Sequence, residues 1–281
     1  MKLLRYGPKG QEKPGLLDKG GTIRDLSGVV ADITPETLSP AGLDKLRKLD
    51  PASLPAVGGS PRLGAPLTQI PKILCIGLNY TDHAKETGAA IPKEPILFMK
   101  ATSSLNGPND DVMLPRGSVK GDWEVELGIV IGSKASYVGI NDAAKHIAGY
   151  CVVNDVSERE YQIERGGQWT KGKSCDTFCP TGPWLVTTDE IKDPQKLKMW
   201  LKVNGEMKQN SSTAQMIFGV KTLVSYISRF ITLMPGDLIP TGTPPGVGLG
   251  HKPSPVFLKP GDVMELGMDG LGTQRQQVVG G

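Results

Sequence analysis

Apolar and other residues alternate along Val125-Glu126-Leu127-Gly128-Ile129-Val130-Ile131, a period of two that predicts a β-strand. Val125, Leu127, Ile129 and Ile131 then share one face, and Glu124, Glu126 and Gly128 share the other. Two further apolar runs predict strands, Ile73 to Gly77 and Cys151 to Asn154, the latter running on into Asp155. Near the start, Pro14 to Asp18 and Thr22 to Leu26 flank Gly20-Gly21, the pattern of a hairpin. The period lengthens at Leu43, Leu46 and Leu49, predicting a short helix. It lengthens again at Ile217, Val220, Leu223, Val224, Ile227 and Phe230, predicting a longer amphipathic helix packed on the core. Ile140 to Gly149 suggests a short helix closed by glycine, with His146 inside it as a structural residue. Ser157 and Glu160 have capping-box spacing, so another helix is expected there. Met234-Pro235-Gly236 and Lys259-Pro260-Gly261 fit type II turns, each feeding a strand.

Composition sharpens this picture. The 281 residues include 36 glycines and 23 prolines without a repeat period, which favours many tight turns and short strands over collagen or disorder. The expected class is therefore β-rich α+β. Pro51, Pro55, Pro61, Pro66 and Pro71 mark an extended linker, so residues 1–70 are expected to form a small N-terminal domain and linker, and residues 71–281 the main domain. A net charge of +3 and 5% aromatic residues give no footprint for a nucleic-acid partner. No run of 18 apolar residues suggests a membrane partner, and no signal-peptide core is evident at the start. Cys75, Cys151, Cys175 and Cys179 lack a metal-binding partner set, so free thiols and a cytoplasmic location are expected.

The candidate chemistry begins with Glu124 and Glu126. Two residues along a strand span roughly 6.6 Å, so both carboxylates can converge on one hard cation such as Mg²⁺, Mn²⁺ or Ca²⁺. Gly128 would leave that face open to a ligand, and Asp155 offers a third oxygen. Taken alone, Glu-x-Glu also fits the wet face of an ordinary half-buried strand. His83 and Glu86 stand at i and i+3 of a short helix capped by Thr81 or Asp82. A carboxylate beside an imidazole suits a water-activating base, although surface pairs of this kind without a role are also common. Thr87 to Pro95 has the composition of a lid. Lys171-Gly172-Lys173-Ser174 lacks the upstream glycine spacing of a phosphate loop. The loop Thr241-Gly242-Thr243-Pro244-Pro245-Gly246-Val247-Gly248 fits either an anion cradle or a plain tight connection.

Taken together, Gly77-Leu78-Asn79-Tyr80 with Asp82-His83, Glu124-Val125-Glu126-Leu127, Asn154-Asp155-Val156-Ser157, Gln168 to Ser174, Pro235-Gly236-Asp237 and Thr241-Gly242-Thr243-Pro244 resemble the fumarylacetoacetate hydrolase family over roughly residues 70 to 270. The resemblance implies a mixed β-roll, usually in a homodimer, and Mg²⁺-assisted work on β-dicarbonyl or 2-oxo acids. It implies that Glu124, Glu126 and Asp155 are the metal ligands. It assigns Gln162 and Lys173 to the substrate, with Lys173 also stabilising developing charge, and gives the substrate carboxylate to Thr243. His83 and Glu86 match the family's water-activating pair. Leu78 stands where some members carry Arg, which leaves a carboxylate contact for another residue such as Lys100 to supply. Cys175 replaces the more usual Phe. The implied activity is hydrolysis of a carbon–carbon bond in a small 2,4-dioxo acid, an acylpyruvate or a diketo-deoxy sugar acid. Ureidoglycolate lyase, decarboxylase or isomerase action would use the same enolate. A metal-dependent protein that only binds oxo acids is the non-enzyme alternative, which the His83-Glu86-Lys173 set disfavours.

Overall fold

The computed structural model describes residues 1–82 and 90–281. His83 and Glu86, and the first part of the expected lid, lie outside the described residues. Strands dominate, and helices are few and short. The large sheet follows the order Ile23–Asp25, Lys13–Leu17, Lys2–Tyr6, Cys179–Thr187, Ile147–Asn154, Val125–Ile131, Leu238–Pro240, Ile73–Gly77, Ile96–Lys100. Along this path only the Leu238–Pro240 and Ile73–Gly77 pair is parallel. The smaller sheet runs Glu206–Ser212, Lys198–Val203, Val263–Met268, Gly272–Gly280, Val112–Leu114, and its last pair is parallel. Both sheets are thus mixed, and the β-rich α+β architecture is as expected.

Alternation places the two sides of Val125–Ile131 in two different cores. Val125, Leu127, Ile129 and Ile131 pack with Trp123, Val152 and residues of the smaller sheet such as Leu201 and Leu266. Val130 packs with Cys151, Val153, Cys75 and a set from the N-terminal part that includes Leu3, Leu16 and Leu43. Residues 1–70 therefore cover one face of the sheet, and Lys2–Tyr6 extends it by pairing with Cys179–Thr187. With cover on both sides, all seven residues of Val125–Ile131 are buried.

Burial on both faces corrects one expectation. Gly128 does not open the strand to a ligand. A Cβ there would lie 2.7 Å from Val153 Cγ2 and 3.0 Å from Cys151 Sγ, so the missing side chain makes room for core packing.

The helix expected at 140–149 is also replaced. Only a 3₁₀ turn, Ala143–His146, forms, and Ile147–Asn154 is a strand flanked by Val125–Ile131 and Cys179–Thr187. Ladder pairing on both sides, with Tyr150 and Val152 entering one core and Cys151 and Val153 the other, overrides the local helix signal. Gly149 sits in that strand because a Cβ would come 2.3 Å from Val186 O.

Ser157 caps no helix either. It pairs with Asp122, and its hydroxyl donates to Asp155 O at 3.0 Å; a π-helical turn, Glu160–Glu164, follows. The hairpin before Asp25 and the helix Pro40–Arg47 form as the periodicity predicts; the second helix spans only Val220–Ile227, leaving Ile217 and Phe230 outside it and Phe230 64% exposed. Gly236 and Gly261 have φ of 86° and 98°, the left-handed values a type II turn needs at its third position. All four cysteines are free. Among the described residues no helix is long and apolar enough to cross a membrane.

Candidate active site

Strand ends bring the acids together. Val125 lies opposite Asn154, so Glu124 and Asp155 flank the pair at the end of the ladder, and Asp155 N–H donates to Glu124 O at 2.9 Å. Glu124, Glu126 and Asp155 are all buried and offer oxygen atoms within 4.8 Å of one another. Such crowding needs positive charge close by.

Three buried cations answer it. Lys173 Nζ lies 2.7 Å from Glu124 Oε2 and 2.8 Å from Asp155 Oδ2. Lys100 Nζ lies 2.6 Å from Asp155 Oδ1 and donates to Val156 O at 3.1 Å. Arg159 bridges Glu124 Oε1 and Asp122 Oδ2, each at 2.7 Å. Asp122 is held in turn by the backbone N–H groups of Trp123, Gly248 and Leu249. Four carboxylates thus face three cations, and the uncompensated charge falls on Glu126. Among the described residues Glu126 has no cationic partner; Gly242 N–H donates to its Oε2 at 2.8 Å.

Titration follows from this layout. Burial opposes ionisation of Glu124, but Lys173 and Arg159 outweigh it and hold that carboxyl down at about 2. Burial, then the charges of Asp155 and Glu124, push Glu126 well above the ordinary carboxylate range. Burial also works against the Lys173 charge, yet Asp155 and Glu124 prevail and keep it firmly protonated. A buried, all-oxygen set with one negative charge in excess fits a hard divalent cation, and each carboxylate oxygen keeps a lone pair beside its present partner.

Glu124 and Glu126 open on a cavity of about 390 Å³ lined also by Lys173, Arg159, Gln162 and Thr243. Phe98 and Trp169, ring centroids 5.2 Å apart, form part of its wall. Trp169 fits there because Gly77 has no side chain; a Cβ would meet the indole at 2.4 Å. Ile163 and Leu249 also line the cavity and remain 50% and 39% exposed, so apolar surface reaches its mouth.

Glu124, Glu126, Lys173, Gln162 and Thr243 thus meet at one cavity, and Asp155, outside its lining, is paired with Lys173 at 2.8 Å. Lys100 is placed differently. It is absent from the cavity wall, and its ammonium is engaged by Asp155 and Val156, so it supports a carboxylate of the cluster instead of replacing the cation missing at Leu78. Arg159 and Lys252 line the cavity beside Lys173, and neither was singled out from the sequence. The signal for Arg159 was available: it is the basic residue nearest Asp155 in sequence, and three buried acids require counter-charges. Thr243 is more constrained than expected. Its hydroxyl accepts from Gln209 Nε2 at 2.9 Å and donates to Val125 O at 3.0 Å.

Fold and site together define a protein of mixed sheets carrying a buried acidic triad suited to a divalent metal beside a small-molecule cavity. Residues 72–279 match the fumarylacetoacetate (FAA) hydrolase C-terminal family, and the chain belongs to the fumarylacetoacetate hydrolase family. A Burkholderia cenocepacia protein provisionally described as a hydrolase is 61% identical over 276 residues, covering 98% of each chain. The fumarylacetoacetate hydrolase of Exiguobacterium antarcticum superposes with a TM-score of 0.89 at 36% identity, covering 100% of both chains. The maleylpyruvate hydrolase of Sphingobium sp. SYK-6, solved with manganese(II) and pyruvate, has a TM-score of 0.82 at 28% identity and the same coverage.

Proposed function

We propose that this protein hydrolyses a carbon–carbon bond in a small 2,4-dioxo acid with Mg²⁺ or Mn²⁺ as cofactor. The observation that carries the reading is the convergence of Glu124, Glu126 and Asp155 beside Lys173, with Glu124, Glu126 and Lys173 lining one cavity. A divalent ion held by the three carboxylates would supply Lewis-acid polarisation of the 2-oxo acid end. The similar maleylpyruvate hydrolase, with manganese and pyruvate bound, supports both the ion and the ligand class.

The chain's own residues account for the remaining work. Gln162 gives its carbonyl oxygen to Arg159 Nη1 at 3.0 Å, which leaves its amide N–H groups to donate to a ligand oxygen in the cavity. Arg159 adds positive charge on the same wall. In hydrolysis a water oxygen bonds to the C4 carbonyl carbon, the C3–C4 bond breaks, and its electron pair remains on C3 as an enolate. Lys173, held protonated, stabilises that charge as a fixed cation. Because it is held so firmly, we assign the proton delivered to C3 to water. The role of accepting the water's proton stays with His83, oriented by Glu86.

The test is incubation of the purified protein and Mn²⁺ with acylpyruvates and a diketo-deoxy sugar acid, measuring release of pyruvate or the corresponding 2-oxo acid together with the second carboxylic acid. Equimolar release of both is expected. Loss of CO₂, or an isomer with no cleavage, would replace hydrolysis by decarboxylation or isomerisation of the same enolate.

A further inference from the structure

Gln209 lies in the strand Glu206–Ser212 of the smaller sheet, fully buried, and it is not part of the cavity wall. Its side chain nevertheless reaches two separate parts of the site. Oε1 accepts the N–H of Val125, the residue between Glu124 and Glu126, at 2.9 Å. Nε2 donates to Thr243 Oγ1 at 2.9 Å and to Pro244 O at 2.8 Å. Both amide hydrogens are therefore used.

These bonds close a ring. The Val125 N–H donates to Gln209, Gln209 donates to the Thr243 hydroxyl, and that hydroxyl donates back to Val125 O at 3.0 Å. With an acceptor fixed on one side and a donor on the other, the hydroxyl has one orientation. The loop also lies close against the strand of Gln209. A Cβ on Gly246, whose φ is 98°, would come 1.9 Å from Lys208 O. Trp123 Nε1 donates to Gly246 O at 3.0 Å from the other side. Three segments distant in sequence are thus held together, and the side chains of Gln209 and Thr243 each bond to both of the other segments. A glutamine needed only to fill the core would leave such specific donors costly to satisfy.

We infer that Gln209 is a positioning residue for ligand binding: it sets the Thr243 loop against the strand that carries Glu124 and Glu126. The inference rests on the reading of the cavity as a 2-oxo acid site. Thr243 lines the cavity, and Gln209 acts through its loop by fixing that loop's distance from the acidic cluster.

The test uses oxalate as probe, measured calorimetrically with saturating Mn²⁺, on wild type, Gln209→Met, Gln209→Glu, Thr243→Val and the Gln209→Met/Thr243→Val double variant. Gln209→Met keeps the volume and loses all three bonds. Gln209→Glu keeps an acceptor for Val125 N–H but has at most one hydrogen for the two acceptors Thr243 Oγ1 and Pro244 O, and it keeps the test decisive if the methionine variant fails to fold. Either change should weaken oxalate about tenfold, the scale of one lost hydrogen bond. Mn²⁺ affinity should move by less than about threefold, well under the effect on oxalate. For a substrate that is turned over, KM should rise with kcat nearly unchanged, the mark of lost binding common to ground and transition states. In the Thr243→Val background, Gln209→Met should add a smaller loss, because the bond to the Thr243 hydroxyl is already absent while those to Pro244 and Val125 remain to be lost. Unchanged oxalate affinity with only a lower Tm overturns the inference, and so does a loss of equal size in the Thr243→Val background. Wild type that ignores oxalate when loaded with Mn²⁺ overturns the 2-oxo acid reading itself.

Discussion

Glu126 carries the excess negative charge of the cluster, so Glu126→Gln should separate two effects that wild type combines. In the metal-free protein the substitution removes a carboxyl whose ionisation burial and the charges of Asp155 and Glu124 oppose, while a neutral amide oxygen can still accept the Gly242 N–H. The sign can be worked from linkage. A carboxyl raised in the folded state costs stability as pH rises above its ordinary value of 4.5, so at neutral pH the metal-free variant should match or exceed wild type. With metal the order reverses. An ion at 100 times its Kd stabilises the folded protein by about 2.7 kcal/mol. At about 2 °C per kcal/mol for a chain of this size, wild-type Tm should rise by about 5 °C. If loss of one charged ligand weakens the ion on the order of 100-fold, the same concentration only equals Kd. The stabilisation then falls to about 0.4 kcal/mol, near 1 °C. The assay is thermal unfolding of both proteins in chelator and in Mn²⁺ at a fixed concentration. Parallel shifts in the two proteins would show that Glu126 is not a ligand and refute the charge argument with it.

Other expectations follow from the same geometry. His83→Ala should keep the metal-dependent Tm shift but lower turnover roughly 10²–10⁴-fold; loss of both would make His83 a ligand. Gly172→Ala places a Cβ 2.3 Å from Glu158 O and 2.5 Å from Gln162 N, which must move the Thr170–Lys173 turn away from the segment that carries Gln162. Its kcat/KM should fall at least tenfold (about 1.4 kcal/mol), and kinetics equal to wild type would show that the turn tolerates the shift. Metal binding must draw on the ionised form of Glu126, whose carboxyl burial and its acidic neighbours raise. Affinity should therefore weaken as pH falls below that raised value, with proton release seen as buffer-dependent binding heats in calorimetry; identical heats in buffers of different ionisation enthalpy would contradict it.

Much of the fold was legible because its signals were local. Alternation along Val125 to Ile131 identified the strand and put Glu124 and Glu126 on one face, and the Pro-Gly pairs identified turns whose glycines need positive φ. What failed was the inference from one strand to its surroundings. Period two shows that two faces differ, but not whether both are covered. Here the N-terminal residues cover one face and the smaller sheet the other, so Gly128 makes space for Val153 and Cys151 instead of a ligand. The helix expected at 140–149 failed for a related reason. Gly149 resembles a helix stop in sequence, while its requirement is the approach of Val186 O across the ladder, a long-range contact.

The site shows the same division with a chemical consequence. Glu124 and Glu126 could be paired by their spacing, whereas the pairing of the acids with their counter-charges could not, because Lys100, Arg159 and Lys173 come from three separate segments. Charge balance nonetheless constrains what those residues can be. Asp155 has one oxygen engaged by Lys100 and the other by Lys173, both cations buried. Removing either lysine would leave a buried carboxylate short of charge, a change that typically costs 3–5 kcal/mol. Lys100 is therefore bound to the cluster's electrostatics and cannot serve as a substitute for the cation absent at Leu78. Arg159 is less confined, since it lines the cavity while Asp122, itself held by three backbone N–H groups, supports it from behind. An anionic ligand approaching the acids thus meets Arg159, Lys173 and Lys252 in the cavity lining, and it is these charges, not Lys100, that offset the repulsion from the acids.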